Sequence, residues 1–379
     1  MTAPARLRAR VTQLFQETFR TDPTIVVSAP GRINIIGEHT DYNEGFVLPA
    51  AIDRYMTVAF RRRRQGATEM VSEQSDARLQ FDELPAARHG TWGDYAIGVA
   101  RALKEAGPSS FELAVTSTIP MGAGLSSSAA LEVAAALAML GDGAKDRSIP
   151  ELARLCRDVE NEFIGARTGI MDPFISLAGR AGAALLLDCR SLDARACPLP
   201  DTGYVWLLAD TQIRHEIASS AYNDRRSACE AAAREMGLSS LRDATEADVN
   251  RLADPILRAR ARHVVAENAR TLQAATVLEA GDLQALGPLL YASHASLKND
   301  FEVSCEELDA LVELAASAPG VIGARMMGGG FGGCVLILAA ADGVDSLQTR
   351  LADGYAGRFG RPPAFYRVRI VDGAWPADS

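Results

Sequence analysis

Between a strand-like segment, Thr24–Ser28, and the apolar run Phe46–Ile52 lies the stretch Gly31-Arg-Ile-Asn-Ile-Ile-Gly-Glu-His-Thr-Asp-Tyr-Asn43. Arg32, Asn34, Glu38, His39, Thr40, Asp41 and Asn43 crowd their hydrogen-bonding side chains into it. Ala29-Pro30-Gly31 interrupts the strand pattern ahead of it, so the stretch reads as a loop at a sheet edge. A fold for this chain must therefore bring a polar loop to the margin of an apolar sheet. Such a loop is either a solvated turn or the wall of a ligand site. Glu38 and Asp41, with His39 between them, suit a ligand covered in hydroxyls, because carboxylates accept O–H groups through short charge-assisted bonds.

The chain has 379 residues, 48% hydrophobic and 23% charged, enough for a sizeable core and two domains. Its net charge of −9 argues against nucleic acid as a partner, which requires a basic face. The basic run Arg61–Arg64 follows a strand-like segment and reads as a solvated turn. Six scattered cysteines form no Cys-x-x-Cys pair, so neither a zinc site nor a disulfide framework is expected. Ala5–Arg20 reads as an amphipathic helix rather than a signal peptide, and no apolar stretch approaches the ~20 residues of a membrane span. The expectation is a reduced, cytoplasmic monomer that binds no membrane.

Along the chain, strands are expected at Ile52–Phe60, Thr68–Ser72, Ala77–Phe81 and Phe111–Ser117, with a helix over Trp92–Ala106. An alanine-rich helix follows from Ser126 to about Leu140, then one over Pro150–Phe163 and a short one around Asp172–Leu177. Strands Ala183–Asp188 and Ala194–Pro198 lead to Pro198-Leu-Pro-Asp-Thr-Gly203, a plausible joint between domains 1–199 and 200–379. Beyond it come a strand at Tyr204–Ala209 and helices Ser220–Met236, Pro255–Ala280 and Asp282–Leu297. Strands Val321–Met326 and Cys334–Ala339 flank a glycine cluster, and Val344–Tyr355 and Ala364–Ile370 read as a helix and a strand. The whole is α+β, with a site expected between two domains.

Pro120-Met-Gly-Ala-Gly-Leu-Ser-Ser-Ser-Ala129 joins a strand to a helix. Gly122 and Gly124 let the backbone approach an anion, and the free N–H groups of a helix N-terminus attract one. Ser126, Ser127 and Ser128 add hydroxyls for phosphate oxygens or a hydrated cation. No Gly-Lys-Ser/Thr occurs, so this is not a Walker loop. A serine N-cap accounts for Ser126 but not for the whole constellation. Gly328-Gly-Gly-Phe-Gly-Gly333 contains Gly-x-Gly-x-x-Gly, but it leads into a strand, whereas a dinucleotide fold requires a helix there. In Gly169-Ile-Met-Asp-Pro-Phe174, Asp172 is either a helix cap before proline or a carboxylate for chemistry.

Taken in order, these motifs resemble those of the galactokinases, sugar kinases of the GHMP small-molecule kinase superfamily. The resemblance runs from Ala29 to Leu338. It implies an N-terminal domain like ribosomal protein S5 domain 2 and a ferredoxin-like C-terminal half. It implies ATP-dependent phosphorylation of α-D-galactose at C1, with Mg²⁺ as cofactor. Glu38, His39, Thr40, Asp41, Gly169, Asp172 and Tyr222 would then meet the sugar. Gly122, Ala123, Gly124, Leu125, Ser126, Ser127 and Ser128 would cradle the phosphates, and Ser128 with Glu160 would hold the metal. Arg32 would sit beside the transferring phosphoryl group and Asp172, which acts as general base or only orients the C1 hydroxyl. Ser72 and Trp92 are candidates for adenine or ribose contacts, although nothing near them specifies a base. His294 and Lys298 read as structural, and Met327 stands where the family often carries threonine. Two other readings stay open: a kinase for another sugar (N-acetylgalactosamine, arabinose or a uronic acid), and a non-catalytic galactose sensor.

Overall fold

The computed structural model describes residues 3–200, 203–213 and 218–374. Helix α1 (Ala3–Phe19) is amphipathic as expected; its Val11 and Phe15 are fully buried against Ala59 and Ala114. Strand β1 (Ile25–Asn34) pairs antiparallel with the long β3 (Pro49–Arg62), while β2 (Phe46–Val47), between them in sequence, joins another sheet. Strands β4 (Thr68–Ser72), β5 (Ser75–Phe81) and β6 (Phe111–Ser117) complete a five-stranded sheet in the order β1-β3-β6-β4-β5, in which only the β4–β6 pairing is parallel.

The first strand does not stop at Ser28. Its ladder passes through Ala29 and Pro30, shifts register between Pro30 and Arg32, and ends with Asn34 opposite Pro49. A proline has no N–H to give a ladder and is tolerated at such a bulge. Arg32 and Asn34 therefore stand on a paired strand, and the loop proper begins only after them.

Helix α2 (Asp94–Ala102) ends earlier than expected, its last turn becoming a short 3-10 segment at Lys104–Ala106. Helix α3 (Ser127–Leu140) packs on β1 and β3 and is buried continuously from Ala129 to Met139, as a helix apolar on all sides must be. Helix α4 (Ile149–Asp158) starts at a Ser148–Glu151 capping box and passes into a wider π-helical turn, Val159–Ile164, that displaces Glu160 from α-helical register. Helix α5 (Met171–Ala178) follows. Strands β7 (Ala183–Asp188) and β8 (Ala194–Pro198) form a three-stranded sheet with β2.

Within the Pro198–Gly203 joint, residues 201–202 lie outside the described residues. Past it, β9 (Tyr204–Asp210) precedes helices α6 (Ala218–Glu235), α7 (Glu246–Arg251), α8 (Pro255–Glu279), α9 (Leu283–Asn299) and α10 (Glu306–Ala316). Neither α7 nor α10 is expected from the sequence. In α10, three acids in the first turn (Glu306, Glu307, Asp309) mask the helical spacing of its buried Leu308, Leu311, Val312 and Ala315. Strands β10 (Val321–Met326) and β11 (Cys334–Ala340), helix α11 (Val344–Phe359) and strand β12 (Ala364–Val368) close the fold. The second sheet is antiparallel in the order β10-β11-β9-β12.

The sheets separate near residue 200, but the core does not. Ile33, Leu48, Leu131 and Phe174 belong to the same buried cluster as Trp206, Leu208, Leu286 and Leu336. All six cysteines are free.

Candidate active site

The loop from β6 to α3 is shaped by three left-handed residues in five positions: Gly122 (φ +68°), Gly124 (φ +74°) and Ser126 (φ +59°). They turn the chain back over the first N–H groups of α3, which have no partner inside the helix and so favour an anion. Gly31 lets β1 touch this loop: a Cβ there would lie 2.6 Å from the Leu125 carbonyl oxygen. The Arg32 N–H donates to that same oxygen at 3.3 Å.

Arg32 then reaches across the loop. Its Nε and Nη2 donate to the two oxygens of Asp172 at 2.8 and 2.9 Å, and its Nη1 donates to the Gly124 carbonyl at 2.6 Å. The Ser126 hydroxyl donates to the same carboxylate. Ser126 begins α3 without any side-chain cap bond, and Asp172 lies inside the first turn of α5 after Ile170. Neither capping role describes these residues. Burial opposes the charge on Arg32, yet Asp172, Glu38 and Asp41 together hold its pKa above the ordinary value.

The polar loop faces this pair. Glu38 is 2% exposed. Its Oε1 accepts the Gly328 N–H at 2.8 Å and lies 3.3 Å from Nη2 of Arg325, itself fully buried. His39 occupies φ +62°, a strained position for a residue with a Cβ, and its Nδ1 lies 2.9 Å from the Tyr42 hydroxyl. Its ring packs against Tyr222 and Phe301, and burial, with His263 next, lowers its pKa to about 3. Asp41 accepts the Tyr42 N–H at 2.9 Å, yet burial and then Asp172 push it up to about 7. Gly169 must be glycine, since a Cβ would fall 1.9 Å from an Asp41 carboxylate oxygen. Burial, then Asp41 and Asp172, also raise the Tyr222 hydroxyl well above its ordinary range.

These residues enclose a cavity of about 390 Å³. Its lining brings together Arg32, Glu38, His39, Asp41, Gly122, Gly124, Leu125, Ser126, Ser127, Ser128, Gly169, Asp172 and Tyr222, all expected from the sequence. Five expected residues, Thr40, Ala123, Ser72, Trp92 and Glu160, do not line it. Thr40 is fully buried and its hydroxyl donates within the loop, to the carbonyls of Gly37 (2.8 Å) and Phe46 (2.7 Å), so it closes the turn rather than facing a ligand. Ala123 is buried with only a methyl to offer. Ser72 lies on β4 with its hydroxyl beside Gln74. Trp92 packs against the core and is also absent from the lining. His294 and Lys298 both pair with Asp309, away from the cavity.

Glu160 stands directly behind the lining. It accepts from the hydroxyls of Thr168 and Ser128, and burial pushes its carboxyl up against the pull of those two bonds. A buried carboxylate beside a cavity-lining serine offers hard oxygen donors of the kind Mg²⁺ takes.

Several residues that hold the polar loop had no signal in the sequence. From α8, Glu267 accepts the N–H groups of Gly37 (3.0 Å) and Glu38 (3.4 Å) and the Ser293 hydroxyl (2.6 Å), and pairs with Arg270. His263, one turn earlier, contacts the Glu38 carbonyl through Nε2 at 3.1 Å, and Asn268 accepts the Phe46 N–H. A larger groove of about 710 Å³, lined by Arg62, Arg63, Arg64, Arg101 and Lys104, lies apart from all of this. Nearby, Arg61 pairs with Glu112 and Arg63 with Glu69, which accounts for part of the basic run.

A phosphate loop without a Walker lysine, set between a mixed sheet and an antiparallel one, is the arrangement of a GHMP small-molecule kinase. Family models agree: "GHMP kinases N terminal domain" matches residues 94–180 and "GHMP kinases C terminal" matches 274–357. Within that class the chain belongs to the galactokinases. The "Galactokinase galactose-binding signature" matches residues 13–62. The chain is 42% identical to the galactokinase of Homo sapiens over 98% of its own length and 96% of that protein's. Against the galactokinase of Roseiflexus sp. it is 44% identical, covering 95% and 94%. The Lactococcus lactis galactokinase, solved in complex with galactose, superposes with a TM-score of 0.90 at 36% identity, covering 96% of this chain and 98% of that one. Methanococcus jannaschii mevalonate kinase, at 18% identity and a TM-score of 0.64, shares the fold.

Proposed function

We propose that this chain transfers the γ-phosphoryl group of ATP to the C1 hydroxyl of α-D-galactose, giving galactose 1-phosphate and ADP. The observation that carries the reading is the Arg32–Asp172–Ser126 cluster, placed between the phosphate loop and the carboxylates of Glu38 and Asp41. In the transfer, the C1 oxygen forms a bond to the γ-phosphorus as the bond to the β,γ-bridging oxygen breaks. The hydroxyl proton is taken up at an Asp172 oxygen. Because Arg32 and Ser126 already fix that carboxylate, its first task is to orient the attacking hydroxyl. Arg32 also stands where negative charge spreads over the phosphoryl oxygens, and so stabilises the transition state.

Glu38 and Asp41 accept sugar hydroxyls, Tyr222 and His39 wall the pocket, and the Gly122–Ser128 loop holds the triphosphate. Ser128 and Glu160 would hold a Mg²⁺ ion, which when bound neutralises charge on the phosphates. We assign the reaction to a monomer with domains 1–199 and 200–379. Among the described residues no helix is long and apolar enough to cross a membrane; we place the enzyme in the cytoplasm.

The test is coupled ADP release with Mg-ATP against galactose, glucose, N-acetylgalactosamine, arabinose and mevalonate. Galactose-selective turnover is expected. Preference for another acceptor would overturn the substrate, and galactose binding without any ADP release would overturn the catalytic reading.

A further inference from the structure

One turn beyond Ser128 on α3 sits a glutamate that none of the chemistry above uses. Glu132 is 0% exposed, and among the described residues neither of its carboxylate oxygens has a hydrogen-bond partner. Side chains four apart share a helix face, and each leans back toward the helix N-terminus. Glu132 therefore extends toward Ser128. Its electrostatic surroundings agree. Burial first, then Glu160 and Asp172, push its carboxyl well above the ordinary range. Glu132 and Glu160 both act in turn on the Cys156 thiol and the Tyr95 hydroxyl. The elements that carry them pack together behind the phosphate loop, α2 on α3 and on the π-helical turn, and α4 on α3.

Two buried carboxyls within electrostatic reach of each other oppose one another's charge. A buried polar group with no partner calls for a water or an ion. Here both requirements point the same way, toward a hydrated cation. We propose that Glu132 is the outer anchor of the cation site, accepting hydrogen bonds from water on the Mg²⁺ that Ser128 and Glu160 hold. The inference rests on the reading of those two residues as metal ligands. Mg²⁺ keeps several of its waters when bound, and a water bridges the remaining distance. Glu132 is then a positioning residue that fixes the orientation of the hydrated ion beneath the phosphates. Such outer partners of a metal site commonly set its affinity.

The test uses Mn²⁺ as the probe, with ADP and galactose present. Its binding to the full chain is followed by electron paramagnetic resonance and water-proton relaxation rather than by turnover. Glu132→Gln keeps the shape and removes the charge. It is expected to weaken Mn²⁺ by about 10–100-fold, with galactose affinity measured without metal unchanged. Glu160→Gln is expected to weaken Mn²⁺ at least as far. Unchanged Mn²⁺ affinity in Glu132→Gln beside a clear loss in Glu160→Gln would sink this inference and leave the ligand reading standing. Unchanged affinity in Glu160→Gln would instead overturn the ligand reading itself. If the glutamine variant does not fold, Glu132→Asp withdraws the carboxylate by one methylene and carries the same expectation.

Discussion

Asp172 accepts three hydrogen bonds, two from Arg32 and one from Ser126, so its carboxylate is held rather than free to swing. Replacing it with alanine should cut kcat by roughly 10²–10⁴-fold while ADP still binds; near-normal turnover would remove it from the reaction. Asp41 supports a different prediction, because burial and Asp172 push it up to about 7. Only the ionised form accepts charge-assisted bonds from sugar hydroxyls on both oxygens. Galactose affinity should therefore be full above pH 7 and fall as pH drops below it, approaching about tenfold per pH unit. His39, lowered to about 3, stays neutral across that range and adds no slope. Titrating galactose from about pH 8 to about pH 5.5 reads the effect, and Asp41→Asn should flatten it. Most of these residues were legible in the sequence because polar side chains packed densely into an apolar setting need partners. Thr40 belongs to the same run, but nothing in a sequence separates a hydroxyl that faces a ligand from one that closes its own turn. Arg325 and Glu267 were not legible, since Arg325 is the one charge of an ordinary strand and Glu267 is one of several charges along α8.

Helix α8 contributes no side chain to the cavity lining, yet it carries the sugar loop. Glu267 takes the Gly37 and Glu38 N–H groups, and His263 faces the Glu38 carbonyl. A ring nitrogen beside a carbonyl must be the donor, so Nε2 bears the proton and Nδ1 accepts from Ser296. Burial lowers His263 to about 4, below its ordinary 6.5. The unfolded chain thus binds a proton that the folded one refuses between those values. Stability from this residue is complete above pH 6.5 and is lost as pH falls toward 4, by about 3 kcal/mol at about 1.4 kcal/mol per pH unit. Glu267, at about 2 despite its burial because of Arg270 and then His263, extends the loss below pH 4.5. The urea midpoint should therefore fall between pH 7 and pH 5, and His263→Gln should reduce that slope. A slope unaltered by the substitution would contradict this account. Strand and helix periods placed most elements in advance, including β4, β6, β7, β8 and β10 at their observed bounds. The misses have local causes. A bulge carried β1 past a proline, the chain after α4 widened into a π-helical turn, and a run of acids hid α10.

The proposed sugar site belongs to the assembled molecule and not to either proposed half. Glu38 comes from the loop after β1, but its carboxylate is gripped by Arg325 of β10 and by the Gly328 N–H in the glycine turn that follows. The sequence could identify that glycine turn as something other than a dinucleotide loop, because a strand follows it. It could not indicate which carboxylate, nearly three hundred residues away, the turn would meet. Arg325 is fully buried, and its Nη1 also donates to the carbonyls of Asn34 (2.9 Å) and Ile35 (3.2 Å) at the end of β1. One guanidinium thus ties the strand that carries Arg32 to the carboxylate proposed to meet the sugar. Removing one partner of a buried ion pair costs about 3–5 kcal/mol, because the other charge is left uncompensated. Arg325→Met should therefore lower the denaturant midpoint and weaken galactose far more than ADP, since the phosphate loop keeps its own contacts. A ligand that binds only the folded chain stabilises it by RT ln(1 + [L]/Kd), about 2.7 kcal/mol at a hundredfold excess over Kd. Galactose should accordingly raise the midpoint of one cooperative transition in the wild-type chain, and Arg325→Met should lose that rise while keeping the one produced by ADP. If the variant kept its full response to galactose, the two halves would not share the sugar site in the way their contacts imply.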